Sequence, residues 1–142
     1  MNGWHKTVLA LMFAIFAAFI WGWTYAPSPY QPTGTDYIEP VKVKRGQVFT
    51  VYRSFTWRGT DKAFIQRSML RRDCAVECTF KQLESGNLTL EPGFYDRLGR
   101  AQRVPDDVTP GVYDLIYVLY WHNIIGREVS EHLPRLSIEV LP

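Results

Sequence analysis

The run VYDLIYVLYW, Val112–Trp121, decides how this chain is read. It is largely apolar and stands far from the other apolar run, TVLALMFAIFAAFIWGW at Thr7–Trp23. Two membrane crossings would return the C-terminus to its starting side, whereas one would leave most of the chain on the far side. A spanning helix needs about 20 apolar residues; this run offers about half that length, and Asp114 interrupts it. Rich in Tyr, Val, Ile and Leu, and bounded by Pro110-Gly111 and His122-Asn123, it reads as a central strand buried on both faces or nearly so.

The N-terminal run is different. From Thr7 to Ala26 the chain carries no charge for about 20 residues, long enough to cross a hydrocarbon core of roughly 30 Å. Trp21, Trp23 and Tyr25 close it and Trp4 precedes it, which places aromatic anchors at both headgroup levels. Lys6 and the N-terminal amine flank the start, and the first charges beyond the run are Asp36 and Glu39. The positive-inside bias therefore predicts a cytoplasmic N-terminus. The expected organisation is a cytoplasmic tail over 1–6, a transmembrane signal anchor over 7–26, a Pro-rich stalk over 27–36 and an extracytoplasmic β domain over 37–142. That domain would be periplasmic if the cell is Gram-negative. Cleavage near Ala26 to release a secreted domain is the competing reading, since Val8–Ile20 has signal-like length; Pro27 after the scissile bond favours a retained anchor. Pro27, Pro29 and Pro32 give the stalk its extended character.

Lys and Arg number 16 against 14 Asp and Glu, scattered rather than in blocks, so nucleic acid is not an expected partner. In VFTVYRSFTW, Val48–Trp57, the residues Phe49, Val51, Phe55 and Trp57 alternate with Thr50, Tyr52, Ser54 and Thr56, the period of a half-buried strand. Arg53 falls on the apolar face, which calls for a strand edge or a carboxylate partner. Further strands are expected in IEPVKV (38–43), AFIQRSML (63–70), CTFKQL (78–83), NLTL (87–90) and RLSIEVL (135–141), with a short helical turn over Pro92–Leu98. About seven strands at such spacing predict an all-β domain of two antiparallel sheets packed face to face.

VPDDVTPGVYDLIYVLYW, Val104–Trp121, resembles the loop and penultimate strand of immunoglobulin-like and fibronectin-like sandwiches, where a tyrosine after a Pro-Gly turn leads into a long strand. The resemblance implies an antiparallel Ig-like β-sandwich and gives Tyr113 the tyrosine-corner role, a hydrogen bond back across the turn. It departs from antibody-type domains in its cysteines: Cys74 and Cys78 are the only two, too close in sequence to join two sheets. The small size and single anchor are also similar to accessory envelope proteins of bacteria and phages. That similarity implies an envelope or virion protein as partner, besides the bilayer contacted by residues 7–26.

Four residues of straight strand would hold the Cys74 and Cys78 Cα atoms about 13 Å apart, against about 5.5 Å in a disulfide, so a bridge requires a loop there. An oxidising compartment favours that local clip over free thiols. His122 and His132, with Glu128 and Glu131 between them, could be drawn together around a metal, but the spacing reads more simply as a strand end, a turn at Gly126 and a polar loop. Arg67, Arg71, Arg72, Arg97, Arg100 and Arg103 form a candidate anion- or partner-binding set, with ordinary solvated pairing as the alternative. Nucleophile, phosphate-loop and dinucleotide motifs do not occur, and no cofactor is expected. The expectation is a membrane-anchored binding or structural module, not an enzyme; a secreted binding domain and a small metal-dependent enzyme are the alternatives.

Overall fold

Two apolar patterns, one continuous and one alternating, give rise to two structural units. The computed structural model describes residues 2–59, 63–72 and 80–142. One unit comprises the N-terminal segment through Pro27 with His122–Val129, and the other comprises Ser28–Trp121 with Ser130–Pro142.

In the first unit the apolar run forms helix α1, Gly3–Thr24, of 22 residues. At 1.5 Å per residue it measures about 33 Å, long enough and apolar enough to span a membrane. Its large apolar side chains, including Phe13, Phe16 and Phe19, are exposed all round, and no charge interrupts them after Lys6. The helix begins four residues before the expected start and ends at Thr24. Pro27 lies close beyond, and Tyr25 is already extended, its N–H donating to Trp21 O at 2.7 Å. The last carbonyls, which a helix leaves unpaired, find a side-chain donor in the His122–Val129 turn: Asn123 Nδ2 donates to Gly22 O at 3.2 Å and to Trp23 O at 3.1 Å. The other end of that amide shapes the turn, Asn123 Oδ1 accepting from Ile125 N and Arg127 N. Gly126 takes a φ of +84° there, a conformation that favours glycine.

The second unit is mostly β. Its first sheet holds β1 (Tyr30–Pro32), β2 (Tyr37–Glu39), β4 (Val48–Trp57) and β8 (Gly93–Arg103). β1 and β2 lie end to end along one side of β4, and β8 runs along the other. The second sheet holds β3 (Lys42–Lys44), β5 (Ala63–Arg71), β6 (Phe80–Gln82), β7 (Gly86–Leu88), β9 (Gly111–His122), β10 (Glu128–His132) and β11 (Leu136–Leu141). β9 is central: β5 pairs along one side, with β6 and β7 beyond it, while β10 and β11 pair with the other side. β3 pairs with β11 in parallel, whereas β4 with β1, β2 and β8, β5 with β6, β7 and β9, and β9 with β11 are antiparallel. The two sheets enclose one core, to which β4 gives Phe49, Val51, Phe55 and Trp57, β5 gives Ile65 and Met69, and β9 gives Tyr113, Leu115, Tyr117 and Leu119.

Several expectations change. Eleven strands stand among the described residues rather than about seven. IEPVKV is two strands, because the chain leaves the first sheet after Glu39 and enters the second at Lys42. The segment expected as a free stalk contributes β1, whose backbone pairs with Phe55–Trp57 and whose Tyr30 ring packs 4.9 Å from the Phe55 ring. Pro92–Leu98 is not a helical turn but the start of β8, an 11-residue edge strand in which only Gln102 is buried. β9 buries one face fully, and the other is half-buried. Cys74 and Cys78 lie outside the described residues.

At the start of β9, the fully buried Tyr113 donates from Oη to Thr109 O at 2.6 Å, four residues upstream. Tyr113→Phe should cost about 1 kcal/mol in urea unfolding while leaving far-UV circular dichroism unchanged, the net worth of one buried hydrogen bond. A cost indistinguishable from zero would mean that the bond does not hold the turn.

Candidate functional site

The alternation of β4 places residue 53 inward, and the residue there is arginine. Arg53 is buried, 7 % exposed, and its guanidinium forms an ion pair with Asp36, which the chain presents from between β1 and β2. Arg53 Nη2 also donates to Pro134 O at 3.3 Å, between β10 and β11, and the guanidinium carbon stands 5.1 Å from the centre of the Tyr117 ring on β9. One side chain of the first sheet therefore reaches two places in the second.

A second inward arginine comes from β5. Arg67 is 3 % exposed, is in register with Tyr117 across β5 and β9, and carries its guanidinium carbon 5.7 Å from the same ring. Its Nη1 donates to Glu84 O at 3.0 Å, and no carboxylate pairs with it among the described residues. Burial lowers the Arg67 pKa and raises that of Tyr117, so the phenol stays neutral and does not act as a counter-ion. Burial likewise raises the Asp36 pKa, against the pull of Arg53. Burying an ion costs several kcal/mol after relaxation, whereas a desolvated cation–π contact returns about 2 kcal/mol. The aromatic contact alone does not balance Arg67, which has no carboxylate in ion-pair contact among the described residues and feels the exposed Glu84 only through space.

Around these groups lies a cavity of about 200 Å³, walled by apolar residues of both sheets. Phe55, Trp57, Ile65 and Leu119 line its interior, and Leu98, Gly99 and Arg100 of the edge strand β8 form its exposed side. Among the lining residues, Arg53 Nε, Arg67 Nε, Tyr117 Oη and Trp57 Nε1 are closed off from solvent and have no hydrogen-bond partner.

Among the described residues, the strand rows that flank β4, β5 and β9 are interrupted at this level. β1 and β2 pair with β4 on either side of residues 53–54, and β8 bulges opposite Ser54, where Arg97 takes a φ of +51°. β6 and β7 leave Arg67 between them, and the chain passes from β10 to β11 beside Tyr117, where Leu133 N donates to Tyr117 O at 2.9 Å. Such coincident irregularity marks a place where strand pairing yields to another requirement.

Of the six arginines singled out in the sequence, Arg67 and Arg100 line the cavity and four do not. Arg71 Nη1 donates to Thr109 Oγ1, and Arg72 pairs with Asp114 at 2.6 Å and with Ser137. Arg97 is exposed on the β8 bulge, its backbone N–H donating to Ser54 Oγ, and Arg103 pairs with Asp106 across the surface. His122 and His132 are exposed, and Glu131 accepts from Ser28 Oγ. Among the described residues no group of three or more His, Cys, Asp or Glu is placed to hold a metal. Trp4, Trp21, Trp23 and Tyr25 are exposed on and just beyond α1, with Arg127 5.4 Å from the Trp23 ring centre. Sequence reasoning missed Asp36, Trp57 and Tyr117 as site residues; the one available signal was the charge at position 53 in an apolar phase.

No family model and no curated protein matches the chain. Among solved structures it is similar to the sporulation control protein Spo0M from Bacillus subtilis, at 16% identity and a TM-score of 0.44. The match covers 81% of this chain and 51% of that one, so the chain spans about half its length.

The Arg72 and Ser137 hydrogen bonds hold the Asp114 carboxyl below its ordinary range. A depressed carboxylate contributes stability above its unfolded pKa, near 4, and loses it as pH falls through the lower folded value. Wild type should exceed Asp114→Asn in stability at pH 7, and the gap should close on acidification below about pH 4. A gap independent of pH in chemical denaturation would contradict this.

Proposed function

We propose that the chain is a single-pass, membrane-anchored binding module, with α1 in the bilayer and an Ig-like β-sandwich on the extracytoplasmic side. The observation that carries this reading is α1 itself: 22 residues, apolar all round and exposed, with Trp4 at one end and Trp21, Trp23 and Tyr25 at the other. Exposed Ile124 and Ile125 in the turn beside Gly22 and Trp23 extend the apolar surface at that end, and Arg127 supplies a cation at headgroup level. Lys6 at the opposite end supports a cytoplasmic N-terminus. The Tyr113 hydrogen bond and the shared core of two sheets support the Ig-like assignment, while the parallel β3–β11 pair is a departure from a wholly antiparallel sandwich.

The module acts by binding: its β unit holds a walled cavity with unpaired donors, and its partner is another envelope or virion protein, or a ligand carried to one. Protease added to intact spheroplasts should remove a C-terminal tag and leave an N-terminal tag intact. A C-terminal tag that survives until the membrane is permeabilised would overturn the topology. Mass spectrometry of the mature chain should find α1 retained; a new N-terminus at Pro27 would favour the secreted alternative.

A further inference from the structure

The cavity between the sheets has the chemistry of a binding site for a small organic anion. We propose that it takes a monocarboxylate with a short apolar tail, its carboxylate on Arg67 and Arg53 and its tail among Trp57, Ile65 and Leu119. This rests on reading the β unit as a binding module and names what one of its sites accepts.

Charge sets the valence. Arg53 is paired with Asp36, whereas Arg67 has no carboxylate in contact among the described residues, Glu84 being exposed and acting only through space, so the buried site has room for one negative charge. Geometry favours a planar acceptor, since a guanidinium fork matches a carboxylate and both Nε atoms are unpartnered. Tyr117 Oη, also without a partner, is a further donor beside them. The remaining wall is apolar, which excludes a bare inorganic ion as the best fit. Size sets the tail: a dry apolar cavity of about 150 Å³ accommodates benzene, so about 200 Å³ suits a tail of roughly five to seven carbons. Entry is from the side of β8, where Leu98 and Arg100 stand opposite Arg53 and Val51 of β4, and Arg100 adds an exposed cation on the way in.

The test is titration of the full chain in zwitterionic nanodiscs with sodium hexanoate, read on the Trp57 Nε1–H resonance, which every variant below retains, so that partitioning into lipid does not contribute. Saturable one-to-one binding is expected, at least tenfold tighter than for hexanol, acetate or inorganic phosphate. Arg67→Met should weaken it at least tenfold. Leu90→Trp, which blocks the cavity without touching an arginine, should do the same if Arg67→Met fails to fold, whereas Arg103→Gln, outside the cavity, should bind as wild type. Equal binding of hexanol, preferential binding of phosphate, or no saturable shift with hexanoate would each overturn the proposal. None of these outcomes bears on the protease protection result, so the ligand class and the membrane topology stand or fall separately.

Discussion

The β unit depends on a buried arginine. Arg53 sits where an aliphatic residue would satisfy the alternation of β4, and it brings a charge into a core that cannot solvate it. Asp36 answers that charge, which requires the chain between β1 and β2 to dip toward β4. Pro134 O accepts from a second nitrogen, which requires the β10–β11 edge to open beside it. Tyr117 offers its ring, and Arg67 meets the same ring from the neighbouring strand. Among the described residues, the breaks between β1 and β2, between β6 and β7 and at the β8 bulge fall at the height of these groups.

That arrangement joins the sheets by polar as well as apolar contacts, and it leaves space. Side chains that point at one another across a core usually fill it to crystal-like density. Here long, directional guanidinium groups hold the walls, and the edge strand β8 bulges opposite Ser54 beside them. A cavity lined by two arginines of the core follows from the packing.

Much of this was legible in the sequence, for physical reasons. α1, β4, β5 and β9 are long segments with one strong period each, and their apolar residues have a single low-energy disposition. β8 was not legible, because an exposed edge strand such as GFYDRLGRAQR needs no apolar face and presents none. Nor was β1: YQP is too short to show a period, and its three prolines in the surrounding segment suggest extension without saying against what. Arg53 was visible as a misfit, but its partner was not, since Asp36 lies 17 residues away in a loop and nothing in local spacing couples the two. Arg67 looked like five other arginines; only the register of β5 against β9 sets it beside Tyr117.

The central claim is that the Arg53–Asp36 pair is buried and structural, and a double-mutant cycle on the full chain tests it most directly. Arg53→Met and Asp36→Asn should each lower unfolding stability by about 3–5 kcal/mol, because each leaves the other group buried without its partner. The double variant should cost markedly less than the sum. Single costs below about 1 kcal/mol, typical of solvated surface pairs, or costs that simply add, would contradict the account.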